Sequence, residues 1–526
     1  MPGVVRPARC VCGLDCSCVV PSCLEWASDG YPPGRLLGII HGGAGCASSS
    51  MTLTRRQSEA RPGQAPDAPR VHLVTFGCQM NKYDSLLVEE RFIRRGYALT
   101  DEPGSADVIL FNTCSVRDHA EERTFSWLGE LKRAREQRPD LVIGVMGCMA
   151  QRLEEEIFRR AGHVDIVCGT RRFQDLPELV DDVRQRRAQS AAGGGRLLAT
   201  ETADEVRVVR SGERYSGGLC GFLAVMRGCD LACTYCVVPG TRGPVRSRPL
   251  DEIVAEARWM IDQGARSITL LGQTVNAYGE DLARPSAGQR RGTGRGGRVG
   301  LGDVLRGLQE LEGLARVRLI TLHPAYATRE LARAMADCDK VERFLPLPVQ
   351  SASDAVLKRM RRGYNLDLYR RRLDILRAEL PDLLLGTDWI TGFCGETDED
   401  HGASLNYLEE AGFAVNYIFK YDPRSGTPAF DSLADDVPAQ LKKQRHREFL
   451  DLAETVQRRV LGAQRGETRE VLVEQVSERD DSLLSGRTLQ GLPVSFAGPE
   501  ELLGKLVTVS VMGSSPYGLS GGLLAE

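Results

Sequence analysis

The stretch RGCDLACTYC places Cys229, Cys233 and Cys236 in a CxxxCxxC spacing. Three thiolates this close in sequence suit a cubane iron–sulfur cluster, in which each sulfur holds one iron and a fourth iron stays open to a small molecule. A zinc loop is the competing reading, since cysteine-dense loops commonly bind zinc. Zinc loops usually carry CxxC twice, and no fourth cysteine follows here at ligand spacing, so the open cluster is favoured.

A second set is spread along the chain. FGCQMN contains Cys78, NTCSVRDHA contains Cys114 and GCMAQR contains Cys148. Each follows an apolar, β-rich run: VHLVTF, ADVILFNT and LVIGVMG. Helix-prone sequence follows each run, as in DSLLVEERFIRRGY, and strands alternating with helices imply a parallel sheet of flavodoxin-like or Rossmann-like layout. Loops at the carboxyl ends of parallel strands share one edge, where such folds bind ligands. About 35 residues separate successive members of this set, yet the fold would bring all three thiolates to that edge. They form a candidate second cluster site. Cys168, after the short run VDIVC, reads as a core residue.

The elements around the first set repeat a strand–helix pattern over about 216–445. GFLAVMR leads into Cys229, PLDEIVAEARWMIDQG reads as a helix, and SITLLG, RVRLITLH, FLPLPVQ, LLLGTDWITGF and AVNYIFKY read as further strands. Six strands with intervening helices suggest a partial (β/α)6 barrel with its chemistry at the strand C-terminal ends. Polar, glycine-containing sequence sits there: GQTVNAYG, LHP, PVQSAS, GFCGETDED and YDPRSGTP. Gly272 and Gln273 are candidates to hold a small cofactor beside the cluster. Arg242, Arg246 and Arg248, just after the cluster loop, are candidates to meet an anionic substrate. Residues 282–300 interrupt the pattern with arginine, glycine and serine and read as an exposed, mobile loop.

Residues 1–68 carry Cys10, Cys12, Cys16, Cys18, Cys23 and Cys46 without helical or strand period, and read as a disordered extension or a mis-assigned start, with Met51 an alternative. Domains are expected at 69–190, 216–460 and 461–526, with 191–215 as a Gly/Ala-rich linker. The last segment shows short strands with turn residues every eight to twelve positions, the pattern of a five-stranded OB-like barrel. Such barrels often bind nucleic acid, but acidic residues outnumber basic ones here and a structural cap remains open. The chain of 526 residues has a net charge of -3, which neither requires nor excludes nucleic acid. It lacks a run of about 18 apolar residues, so no membrane span is expected. Sixteen cysteines without an apolar leader place it in a reducing, cytoplasmic setting, where clustered cysteines mean metal or catalysis.

With two three-cysteine sets and a terminal β-barrel, the chain resembles the methylthiotransferases of the radical S-adenosylmethionine superfamily. The likeness is to the MiaB branch, the tRNA 2-methylthio-N6-isopentenyladenosine synthases. It spans about 70–524 and rests on TFGCQMNKYDS, NTCSVRDHAEER, GCMAQR, MRGCDLACTYCVVPGTRG, LPVQSASDAVLKRMRRGYN and PRSGTPA. GCQMN, CSVRD and GQTVNAYG side with that branch against those acting on threonylcarbamoyladenosine or on a ribosomal protein. The sequence departs from the usual pattern at Gly240, Ala352 and Cys394, where the family typically has an aromatic residue, glycine and proline.

The resemblance implies a flavodoxin-like N-terminal domain, a radical SAM barrel and a TRAM domain. It implies two [4Fe-4S] clusters. One, on Cys229, Cys233 and Cys236, binds S-adenosylmethionine and generates a 5′-deoxyadenosyl radical. The auxiliary one, on Cys78, Cys114 and Cys148, supplies sulfur for C2 of isopentenyladenosine at position 37 of a tRNA anticodon loop, and a second S-adenosylmethionine methylates it. An external electron donor and a monomeric enzyme complete the expectation. The competing reading from another class is a non-catalytic iron–sulfur or zinc RNA-binding protein. The resemblance assigns no role to Cys168, Cys220, Cys338 or Cys394.

Overall fold

The computed structural model describes residues 67–115, 118–189, 195–201, 210, 218–286 and 291–524. The N-terminal cysteines Cys10 to Cys46 and most of 191–215 lie outside them.

The apolar runs VILFNT and VIGVMG are continuous rather than alternating, as expected of strands covered on both faces. They form β3 (Val108–Thr113) and β4 (Val142–Gly147), in which every residue is buried. Around them lie β1 (Arg70–Thr75), β2 (Ala98–Leu99), β5 (Ile166–Cys168) and β6 (Leu197–Ala199). The sheet order is β2-β1-β3-β4-β5-β6 and all pairs are parallel. The chain reverses direction across the sheet between β1 and β3, the kind of switch point at which open α/β sheets bind ligands. Residues 197–199, within the stretch read as a linker, are the sixth strand of this sheet.

The central region holds six parallel strands. β7 (Cys220–Ala224), β10 (Ser267–Leu271) and β11 (Arg316–Leu319) form one sheet, and β12 (Phe344–Pro346), β13 (Leu384–Thr391) and β14 (Val415–Lys420) form another. A parallel bridge between Val317 and Val341 joins the two into the expected open barrel. GFLAVMR is not one strand. β7 ends at Ala224, and the chain then re-pairs as β8 (Met226–Arg227), antiparallel to β9 (Arg246–Ser247). That two-stranded ribbon closes the base of the loop carrying Cys229, Cys233 and Cys236.

The insertion read as a mobile loop is tied down where it is described. Gly292 and Gly294 N–H groups donate to the Gly297 and Arg298 carbonyls, and Asp303 accepts from the Thr293 amide and hydroxyl. Leu282 and Val299 at its two ends pack against the central core, and short polar residues that satisfy the neighbouring helix start hold the stretch between them.

The terminal segment is a closed five-stranded barrel, β15 (Thr468–Val476), β16 (Leu483–Thr488), β17 (Pro493–Ala497), β18 (Leu506–Ser515) and β19 (Gly518–Leu523), ordered β15-β16-β17-β19-β18. It docks beneath the central strands, at their N-terminal ends. Arg266, just before β10, donates to the Gly504 carbonyl (3.0 Å), Arg316 at the start of β11 pairs with Glu470, and the Arg343 amide meets Leu489 (2.6 Å). The cysteine sets lie toward the opposite strand ends. No helix among the described residues is long and apolar enough to cross a membrane.

Candidate functional site

Register brings the N-terminal set of cysteines together. Thr113 of β3 pairs with Gly147 of β4, so Cys114 and Cys148, each the next residue, leave adjacent strands side by side. Cys78 comes from the neighbouring β1, whose continuation is held by Phe76 N–H donating to Asn112 O (2.8 Å). Gly77 has φ +117°, and a Cβ there would lie 2.5 Å from Cys114 Cβ. Only glycine allows that approach, which brings the backbone just before Cys78 against Cys114. Asn81 knits the same edge. Its amide nitrogen donates to Asn112 Oδ1 and the Thr113 carbonyl, both at 3.0 Å, and its oxygen accepts from the Cys78 thiol at 3.3 Å.

The CxxxCxxC set rides on one loop. Gly228, with φ +75°, has no room for a Cβ, which would stand 1.9 Å from the Pro244 carbonyl. Its N–H donates to Gln273 Oε1 (2.5 Å), and Cys229 N–H donates to Gly243 O (2.9 Å). The Thr234 amide and hydroxyl donate to the Met360 and Arg359 carbonyls (3.0 and 2.9 Å). The buried Arg362 donates from Nη1 to Cys233 Sγ (3.2 Å) and Tyr235 Oη (3.3 Å), and from Nε to Tyr364 Oη (3.2 Å). Cys229 Sγ lies 3.5 Å from Thr274 Oγ1.

Burial pushes the Cys236 thiol up to about 12, with the neighbouring Cys233 and Cys229 adding to it, and burial likewise raises Cys148. Without metal these sulfurs rest protonated, so binding iron releases protons. Both donor sets are sulfur, the chemistry an iron–sulfur core takes. Among the described residues no three His, Cys, Asp or Glu side chains converge on one shared ion. In a cubane, thiolates bind separate corner irons and stand further apart than ligands of a single ion.

The other candidates fall as follows. A Cβ on Gly272 would meet Met226 Cγ at 2.6 Å, and the Gly272 carbonyl accepts from Thr321 Oγ1 (2.7 Å). Gln273 anchors the cluster loop through Gly228. Of the three arginines expected to face an anionic substrate, only Arg246 is exposed. Arg242 is buried against Asp84 (3.1 Å) and Arg248 is paired with Glu256 (2.8 Å), because a guanidinium withdrawn from water needs a carboxylate beside it. Cys168 and Cys338 lie in the apolar cores, Cys394 packs with Phe393 and Tyr421, and Cys220 is half-buried at the start of β7. Ala352 is buried, its N–H donating to Ser404 (3.0 Å). A Cβ on Gly240 would meet nothing within 4 Å, so an aromatic side chain there would project into open space.

Sequence reasoning assigned no roles to Asn81, Asp84, Asn112, Arg227 or Arg362. A local signal existed for the glycines, since Gly77, Gly147 and Gly228 each precede a candidate cysteine. Arg362 lay inside a quoted motif, but nothing in RMRRGYN says which arginine turns inward.

Residues 70–169 match the uncharacterized protein family UPF0004, residues 223–408 the Radical SAM superfamily and residues 462–524 the TRAM domain. The chain is 39% identical to the tRNA-2-methylthio-N(6)-dimethylallyladenosine synthase of Rhodopirellula baltica, covering 86% of this chain and 95% of that one. It is 37% identical to the enzyme of the same name from Clostridium beijerinckii, covering 85% and 94%. Among solved structures, the radical S-adenosylmethionine methyltransferase TsrM from Kitasatospora setae shares the fold, with TM-score 0.50 and 16% identity over 69% of this chain and 77% of that one. The extent and identity of the sequence matches show that the chain belongs to the family of the tRNA-2-methylthio-N(6)-dimethylallyladenosine synthases, within the radical SAM superfamily.

Proposed function

We propose that this protein methylthiolates tRNA, converting N6-isopentenyladenosine in the anticodon loop to its 2-methylthio derivative. The observation that carries the reading is the pairing of two sulfur-only sites in one chain. One is borne on the CxxxCxxC loop and the other on three adjacent strand ends. In this reading Cys229, Cys233 and Cys236 hold a [4Fe-4S] cluster that binds S-adenosylmethionine, and Cys78, Cys114 and Cys148 hold an auxiliary [4Fe-4S] cluster. Bound there, these groups supply a carbon-centred radical, a sulfur atom and a methyl group.

The chain's own residues orient and shield that chemistry. Arg362 and Thr274 fix the sulfurs of Cys233 and Cys229. Gln273 holds the start of the cluster loop, and Gly272 lets it pack on Met226. Both serve the cofactor site by placing the loop. Single-stranded anticodon bases can be unstacked and turned into such a site. The terminal barrel lies at the far ends of the strands, so an RNA engaging both spans the height of the central domain. The enzyme is read as a cytoplasmic monomer served by an external electron donor.

Nucleoside mass spectrometry of tRNA from a deletion strain tests the substrate. Loss of 2-methylthio-isopentenyladenosine with accumulation of isopentenyladenosine is expected, and an unchanged level of the methylthio nucleoside refutes it.

A further inference from the structure

Two arginines bracket the CxxxCxxC loop: Arg227 on β8 before it, and Arg242 at the end of helix Val238–Arg242 after it. Both turn inward to one acid of the N-terminal domain. Arg227 Nη1 lies 2.7 Å from Asp84 Oδ1 and Arg242 Nη2 lies 3.1 Å from Asp84 Oδ2. Asp84 sits on helix Gln79–Arg94, which starts directly after Cys78. Its side chain is 2% exposed, and those of Arg242 and Arg227 are 4% and 14% exposed. The Arg242 guanidinium also donates to Asn81 Oδ1 (3.2 Å), the same oxygen that accepts from the Cys78 thiol (3.3 Å), and it lies near Cys148. One side chain from the radical half thus meets both the clamp acid and the Asn81 oxygen that holds a sulfur of the other set.

The charges of the clamp do not cancel. Two buried guanidiniums share one carboxylate, and Arg227 Nε and Nη2 have no hydrogen-bond partner. A surplus of buried positive charge is costly unless an anion lies nearby. The groups beside Arg242 are the sulfurs of Cys148 and Cys78. As thiols they are neutral. As thiolates on an iron–sulfur core they make an anionic group that complements the surplus, and nearby charge and hydrogen bonds to sulfur set the potential of such a core.

We propose that Arg242 is a positioning residue joining the two three-cysteine sites, which docks the CxxxCxxC loop on Asp84 and, by its charge beside Asn81 and Cys78, raises the reduction potential of the cluster held by the N-terminal set. The inference rests on the two-cluster reading above. It differs from simple docking, in which Asp84 and Arg242 would be equivalent halves of one ion pair.

The test uses the full chain with Cys229, Cys233 and Cys236 all changed to alanine, so that only the N-terminal set can be loaded. Iron and sulfide are counted per chain, and the midpoint potential is followed by electron paramagnetic resonance. Arg242→Gln should shift the potential downward, Arg242→Lys should retain most of the original value, and Asp84→Asn should shift it upward, since that removes a negative charge. Opposite shifts in the two clamp variants support the inference. Unchanged potentials, or shifts in one direction for both, overturn it and leave the two-cluster reading standing. If Arg242→Gln fails to hold a cluster, the lysine and Asp84 variants still decide. A triple-alanine protein with Arg242 intact that holds no iron or sulfide sinks the two-cluster reading and this inference with it.

Discussion

The two three-cysteine sets are assembled by different routes. Cys229, Cys233 and Cys236 are neighbours in the chain, and a two-stranded ribbon, β8 with β9, closes their loop. Cys78, Cys114 and Cys148 meet only because β1, β3 and β4 lie side by side in register. In both, a buried arginine from elsewhere in the chain stands by the sulfurs: Arg362 donates to Cys233, and Arg242 donates to the Asn81 oxygen that accepts from Cys78. The loop site borrows tertiary structure to tune sulfurs that its own spacing has gathered. The sheet site depends on tertiary structure to exist at all, because closing long loops costs chain entropy that packing of the sheet must offset.

Removing one sulfur from each set separates the two roles most strongly. Cys114→Ala and Cys233→Ala should each abolish methylthiolated product and remove about half of the cluster iron. Only Cys233→Ala should also abolish 5′-deoxyadenosine formation from S-adenosylmethionine. Chromatography of the cleavage products checks this, and cleavage surviving in Cys233→Ala would break the assignment of the radical site. Next in size are the glycines. Gly77→Val and Gly228→Val each force a side chain into a left-handed backbone and a space already filled, at about 1–3 kcal/mol for the backbone alone. Each should deplete the cluster of its own site, read from separate resonance signals.

Arg362→Gln sharpens the comparison with Arg242. It removes a charge-assisted bond to Cys233 worth about 1.5–3 kcal/mol, and it should lower the potential of the loop cluster alone. Urea unfolding and a redox titration read the two effects. The smallest expected change is at Thr328, which caps helix Arg329–Ala336 by accepting from Leu331 N–H (3.2 Å). Thr328→Ala should cost about 1 kcal/mol in urea unfolding and leave iron at both sites unchanged. Iron loss in that variant would mean that both sites respond to general stability.

Strand and helix identities were legible in the sequence because burial patterns impose their own periods. VILFNT and VIGVMG read as central parallel strands, and PLDEIVAEARWMIDQG as helix Leu250–Asp262. Residues 197–199, read as linker, form a strand, and three further features read differently in the structure. GFLAVMR breaks at Val225 because its pairing changes partner, and the glycine–arginine insertion is held by hydrogen bonds between apolar ends, Leu282 and Val299, that pack on the core. Arg242 and Arg248 were candidates to meet an anionic substrate, but Arg248 pairs with Glu256 on the helix that follows it, and Arg242 is buried against Asp84, far away in the chain. No local pattern announces such a partner.

By itself the sequence determined the CxxxCxxC spacing, the order of strands and helices, and the ending of three apolar runs near a cysteine. These properties depend on short stretches of chain, where residue type and period suffice. Tertiary structure decided that the three run-end cysteines share an edge, that the terminal barrel lies beneath the central strands rather than beside the cysteines, and that Asp84 is held from both sides of the cluster loop. Each of those depends on contacts between residues far apart in the chain, which only a packed core and its buried charges can bring together.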